Sequence, residues 1–218
     1  MIFHFILLIL LVLILYQLDY NTSKKNFLYN TLDMINWLNK KGENEEVSSA
    51  ILSLSKFYKM TLSKGNIVVT IAEELEHVSL YIKLQNMRYN NKIAYTVDIP
   101  DNMLGYTIPK IIFQPVIENA IQHGIFGKES KEGTIVITGW IEEETLVFII
   151  SDDGVGMAED RIKDILAGKV QSSTGSGVGI VNTHNLLQLF CDSQFGLSYR
   201  SKLGEYTEIE IRIPAVKA

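Results

Sequence analysis

The chain has 218 residues, 47% of them hydrophobic and 21% charged, with a net charge of −5. That composition suits one sizeable folded core with a small appendage and excludes a largely disordered chain. No basic tract is longer than Lys24-Lys25 or Lys40-Lys41, which speaks against a nucleic-acid partner, and the single cysteine, Cys191, excludes an intrachain disulfide and a cysteine-rich zinc site.

Residues 1–18 are nearly all apolar, broken only by His4 and Gln17, and Lys24 and Lys25 follow them. Such a run approaches the roughly 20 residues that cross a bilayer, so a membrane anchor is expected, with the following chain on the cytoplasmic side. A helix buried in an oligomer is the alternative. Residues 27–38 then have helical spacing, with Leu28, Leu32, Ile35 and Leu38 on one stripe. Gly42 and Asn44 break the pattern before a second stripe, Val47, Ile51, Leu54, Tyr58 and Leu62. Residues 23–64 therefore read as a helical hairpin, which needs a second hairpin to bury both faces and so predicts a homodimer.

From residue 70 to 218 a different pattern holds. Thr70 and Glu73 form a capping box before a helix reaching about Tyr89. Residues 92–100 alternate as a strand ended by Pro100, and Pro109 is expected to open a helix that Gly124 closes. Two hairpins follow, over residues 134–151 and 197–213, with a helix over about 179–190 between them. Helices and antiparallel strands segregate, which predicts an α+β fold, a two-layer sandwich, behind a helical neck.

Three segments carry candidate chemistry. Asp152 ends an apolar strand, so its carboxylate leaves the sheet edge where it can accept from an exocyclic amine such as that of adenine. Gly154 and Gly156 free backbone for a flat ring, although an ordinary Asp-Gly turn reads the same way. Gly175, Gly177 and Gly179 precede an apolar helix, an arrangement that exposes N–H groups to phosphate. Asn119 and His123 lie four apart on an upstream helix whose Ile112, Phe113, Val116 and Ile117 predict burial. The amide oxygen of Asn119 is a hard ligand suited to Mg²⁺, and His123 could reach a phosphate oxygen or simply answer the helix dipole.

In combination, the segments IPKIIFQPVIENAIQHG, SDDGVGM and GSGVGIVNTHNLL resemble the asparagine box and the two glycine boxes of sensor histidine kinases of the LytS/YesM type. NFLYNTLDMINWL resembles that family's phosphoacceptor helix. The resemblance implies a Bergerat-type ATP-binding domain of the GHKL superfamily that transfers the γ-phosphate of ATP to a histidine, with ATP and Mg²⁺ as cofactors. Asn119 would then hold the metal and Asp152 would read adenine. Gly154 and Gly156 would shape the floor, Gly175, Gly177 and Gly179 would cradle the phosphates, His123 would belong to the pocket, and residues 157–176 would form a lid. A response regulator, a homodimer and a bacterial plasma-membrane location follow from the same resemblance. The family's acceptor helix begins Pro-His-Phe-Leu, whereas this chain has Lys25, Asn26, Phe27 and Leu28. An asparagine amide lacks the basic lone pair for attack on phosphorus, so a silent ATP-binding regulator stands beside the kinase reading. Hydrolytic relatives such as gyrase and MutL place a glutamate one turn before the metal asparagine, and here that residue is Pro115.

Overall fold

The computed structural model describes residues 25–62, 67–166, 178–191 and 194–217. Residues 1–18, with the expected anchor, lie outside them, as do Gly175 and Gly177. Among the described residues no helix is long and apolar enough to cross a membrane. Helix α1 (residues 25–41) meets α2 (Asn44–Leu62) at Gly42, whose φ is +77°. The N–H groups of Gly42 and Glu43 reach back to the carbonyls of Asn39 and Leu38, the pairing that closes a helix through a left-handed residue.

The hairpin is present, and its buried seam follows the expected stripe only in part. Thr31, Met34 and Leu38 of α1 and Ala50, Ser53, Phe57 and Thr61 of α2 are buried, while Leu32, Ile51 and Leu62 stay about half or more exposed. Helix α3 (Ile71–Arg88) is the reason: its Leu84 completes a cluster with Met34, Leu38 and Ala50. Of the expected stripe, Leu38 lies in that seam and Ile35, Val47 and Leu54 pack partly against it, while Leu32, Ile51 and Leu62 face outward.

Strand β1 (Val68–Thr70) leads into α3 through the full capping box. The Glu73 N–H donates to Thr70 Oγ1 at 3.2 Å, and the Thr70 N–H donates to Glu73 Oε2 at 2.8 Å. Strands β2 (Ile93–Asp98) and β3 (Tyr106–Pro109) follow. Pro109 thus ends a strand instead of opening a helix, because Ile111 adopts φ +65° and no helix can run through it. Helix α4 (Gln114–Asn119) begins later, with Pro115 in its first turn, and widens into a π turn over Ala120–Gly124.

The rest comprises β4 (Gly133–Glu142), β5 (Thr145–Asp152), α5 (Glu159–Leu166), α6 (Val178–Cys191), β6 (Gly196–Lys202), β7 (Tyr206–Pro214) and β8 (Val216–Lys217). The main sheet has the order β2-β4-β5-β7-β6, and β1, β3 and β8 make a smaller one. Both expected hairpins are present, whereas β2 joins β4 in parallel, so its crossover carries α4 across the sheet. Alternation does the sorting: Ile135 and Ile137, Leu146, Phe148 and Ile150, and Ile209, Ile211 and Ile213 are all buried together in the main core. The helical layer supplies Val78, Ile112, Phe113, Val116, Ile117, Ile121 and Ile180 to that core, which gives the two-layer α+β arrangement.

Candidate functional site

Along β5 the buried row Leu146, Phe148, Ile150 continues into Asp152, only 5% exposed. The row holds because its ladder partners on β7 are Ile213, Ile211, Ile209 and then Thr207. Asp152 is thus the polar end of a core row. It sits on the middle strand, so the carboxylate leaves the sheet at its centre and not at an edge. The Gly154 N–H donates to Asp152 Oδ1 at 2.9 Å. Burial pushes the Asp152 carboxyl up to about 6, with the Asp153 charge adding to the rise and the Gly154 N–H and Lys128 opposing it.

The asparagine-bearing helix closes over this carboxylate. The Val155 N–H donates to the Gly124 carbonyl at 3.1 Å. A Cβ on Gly124 would overlap Asp152 Oδ1, and one on Gly154 would overlap the Gly124 backbone. Gly156, at φ +61°, has the Lys202 carbonyl where a side chain would go. These glycines are required by backbone meeting backbone within the protein, a cause different from the room for a ring that the sequence suggested. The glycine-loop side closes in as well, since the nearest atom to a Cβ on Gly179 would be Pro115 Cβ at 3.7 Å. Asp152 is therefore brought to the Gly124 end of the asparagine segment and the start of α6 to its Pro115 end, with the Gly175 and Gly177 positions outside the described residues.

Asn119 is the last residue of α4 and is partly buried; His123 lies within the π turn and is exposed. The expected one-face spacing of the two assumed an α-helix, and the intervening π turn, with its i→i+5 bonds, winds more widely. His123 is held below its usual range first by desolvation of its ring and then by the charge of Arg161 on α5. Of residues 157–176, Met157 is fastened by its N–H to Ser201 Oγ at 2.8 Å, α5 covers Glu159–Leu166, and 167–176 are outside the described residues.

Sequence reasoning missed Thr207, which pairs with Asp152 across the ladder and is 5% exposed. The alternation in YTEIEIRIP carries the signal, since Thr207 shares parity with Ile209, Ile211 and Ile213. It also missed Gln114, in the first turn of α4, and Asn182 on α6, whose Oε1 and Nδ2 are buried with no hydrogen-bond partner among the described residues. Among the described residues no three His, Cys, Asp or Glu side chains gather into a metal cage. A cation at Asn119 would take most of its ligands from phosphate and water, which is the habit of Mg²⁺.

His77 and His184 have structural surroundings. His77 is buried, stacks on Phe57 at 4.5 Å and places Nε2 2.8 Å from Thr61 Oγ1. His184 Nδ1 accepts the Leu197 N–H at 3.0 Å. Asn26 is exposed in the first described turn of α1.

Comparison with known proteins bears on the family and the fold. Residues 21–93 match the histidine kinase family, and residues 107–217 match the family of histidine kinase-, DNA gyrase B-, and HSP90-like ATPases. The sensor histidine kinase YesM of Bacillus subtilis is 31% identical over 87% of this chain, and BtsS of Escherichia coli is 28% identical over the same share. The sensor protein LytS of Bacillus cereus is 26% identical over 87%. The chain spans just under a third of the length of these relatives, 31% to 32%. Among solved structures, the catalytic domain of the histidine kinase ThkA superposes with a TM-score of 0.51 at 14% identity, over 68% of this chain and 94% of that one. The Acinetobacter baumannii histidine kinase AdeS gives 0.51 at 14% identity over 89% and 94%. At that identity the likeness concerns the fold alone.

Proposed function

This chain belongs to the histidine kinases, its C-terminal half being a histidine kinase-, gyrase B- and HSP90-like ATPase domain, and from that premise we propose that it binds Mg-ATP and transfers the γ-phosphoryl group to a histidine. The observation that supports the reading is the closure of Gly124 and Gly154 around Asp152, at the far end of the same helical segment that carries Asn119. Asp152 Oδ1 takes the Gly154 N–H, and Oδ2 retains capacity for the adenine amine. The amide oxygen of Asn119 would hold Mg²⁺, which when bound supplies charge neutralisation along the triphosphate. Gly175, Gly177 and Gly179 would present backbone N–H groups to the phosphates, and the buried Nδ2 of Asn182 adds a donor one turn beyond Gly179. His123 and Arg161 supply the polar rim.

In the transfer, the bond from γ-phosphorus to the bridging oxygen breaks as a nitrogen–phosphorus bond forms on imidazole, and ADP leaves. The nucleophile cannot be Asn26, so the acceptor histidine either belongs to a different partner chain or has been lost from this one. Hydrolysis ranks below transfer: the place one turn before Asn119 is Pro115, and Glu118 Oε1 is engaged by Gln114 Nε2 at 2.6 Å. The outward stripe of the hairpin would seat a second copy, a response regulator would receive the phosphoryl group, and residues 1–18 would anchor the chain to the cytoplasmic face of a bacterial membrane.

Exposed Asn26 also favours a second reading, an ATP-responsive dimer that regulates another kinase without chemistry of its own. Incubation with γ-labelled ATP separates the two. The parent chain alone should stay unlabelled, and Asn26→His should acquire acid-labile label. Should Asn26→His bind ATP and remain unlabelled, the lost-acceptor account falls; should no partner chain become labelled either, the transfer reading falls and the regulatory one stands.

A further inference from the structure

Glu74 is a carboxylate in the middle of the protein that the nucleotide reading does not use. It is 1% exposed on α3, yet its hydrogen bonds go to another element entirely. Oε2 accepts the Ile111 N–H at 2.9 Å and Oε1 accepts the Phe113 N–H at 3.0 Å. These are the amides of the turn that launches α4, a helix whose own N-cap position, Phe113, makes no side-chain cap. Ile111 within this turn sits at φ +65°, a region that a β-branched residue adopts only under constraint. From the other side, Lys110 Nζ donates to the Thr61 carbonyl at 3.1 Å, and Thr61 Oγ1 meets His77 Nε2. A solvent-reachable cavity of about 690 Å³ between α2 and α3 is lined by Glu74, His77, Lys110 and Ile111.

We propose that Glu74 is a positioning residue for the nucleotide site: by clamping the Ile111 and Phe113 amides it holds the left-handed turn that sets the placement of α4, and with it Asn119. This rests on the Mg-ATP reading. Burial raises the Glu74 carboxyl to about 7 against the pull of the amides and Lys110, which is the cost of keeping an acid there and marks it as more than filler. Its bonds lie at the start of α4, whereas Asp152 reaches only the far end through Gly124. Loss of the clamp should therefore disturb the metal-dependent part of binding before the adenine-dependent part.

The test uses the full chain and a trinitrophenyl-ATP analogue, titrated with Mg²⁺ and again with EDTA, alongside thermal melting. Glu74→Gln keeps the shape but turns an amide donor toward one of the two N–H groups. It should shrink the affinity gained from Mg²⁺ by roughly tenfold while affinity in EDTA stays within about twofold. Ile111→Gly placed in the Glu74→Gln background should restore most of that gain, because glycine takes φ > 0 without a clamp. A gain unchanged in Glu74→Gln, a parallel fall with and without metal, or no rescue by glycine would each overturn the proposal. If Glu74→Gln does not fold, Glu74→Asp replaces it, with the same expectations. A parent chain that binds no analogue at all sinks the nucleotide reading, a separate failure.

Discussion

Asp152 illustrates how a core row can end in chemistry. Its three predecessors on the row are aliphatic or aromatic and buried, and the carboxylate inherits that dry setting. Folding raises its proton affinity, from an ordinary 3.8 to about 6, so the folded state favours the protonated form. The stability this residue contributes is therefore greatest below the ordinary value and is lost as pH rises through about 6, a cost on the order of 3 kcal/mol at neutrality. Adenine recognition runs the other way, since the amine needs an ionised acceptor. ATP affinity should thus fall steeply below pH 6, approaching tenfold per unit, even as the apo protein melts higher. A pH series of nucleotide titrations on the parent and on Asp152→Asn would check it, and an equal slope in both would remove Asp152 from the adenine contact. Asp152→Ala should cost roughly 2–4 kcal/mol of binding, about 30- to 1000-fold.

At the scale of elements, the helical hairpin has more apolar surface than its own fold consumes. Met34, Leu38, Ala50 and Phe57 are used against α3 and the main core, and Tyr29, Leu32, Ile51 and Leu62 remain outward. Leu38 of the first set and Leu32, Ile51 and Leu62 of the second were visible as helical periodicity, whereas Met34, Ala50, Phe57 and Tyr29 lie off that stripe, and periodicity alone does not tell a seam within the chain from one between chains. The outward set predicts that Leu32→Glu with Ile51→Glu leaves the fold intact and yields a monomer by sedimentation, whereas the parent associates and melts higher as its concentration rises. A parent that sediments as a monomer at all concentrations would exclude the second copy. The capping box at Thr70 and the turn at Gly204 (φ +82°) were legible because each is written in adjacent residues. Strands β3 and β8 were not, being four and two residues long with partners far away in the chain.

Across the whole molecule, what the sequence revealed was the set of segments, and what it concealed was their contacts. Asp152, Asn119 and the glycines could be picked out by type and spacing. Thr207 could be found only through ladder register, Glu74 only through a contact spanning 37 residues, and the parallel β2–β4 pair only through the crossover. Ile111 gave no local sign, since its residue type argues against the conformation it adopts. The π turn at Ala120–Gly124 belongs to the same class. It acts as a length standard stretched between two fixed posts, Pro115 against Gly179 and Gly124 against Gly154. Inserting one residue beside Gln122, an exposed position, would exceed what the already widened turn can absorb and swing everything after it by about 100°. Such a lengthened chain should lose ATP binding as completely as Asp152→Ala in a direct titration, whereas Gln122→Ala should bind normally. This span of the protein is expected to tolerate changes of letter far better than changes of number.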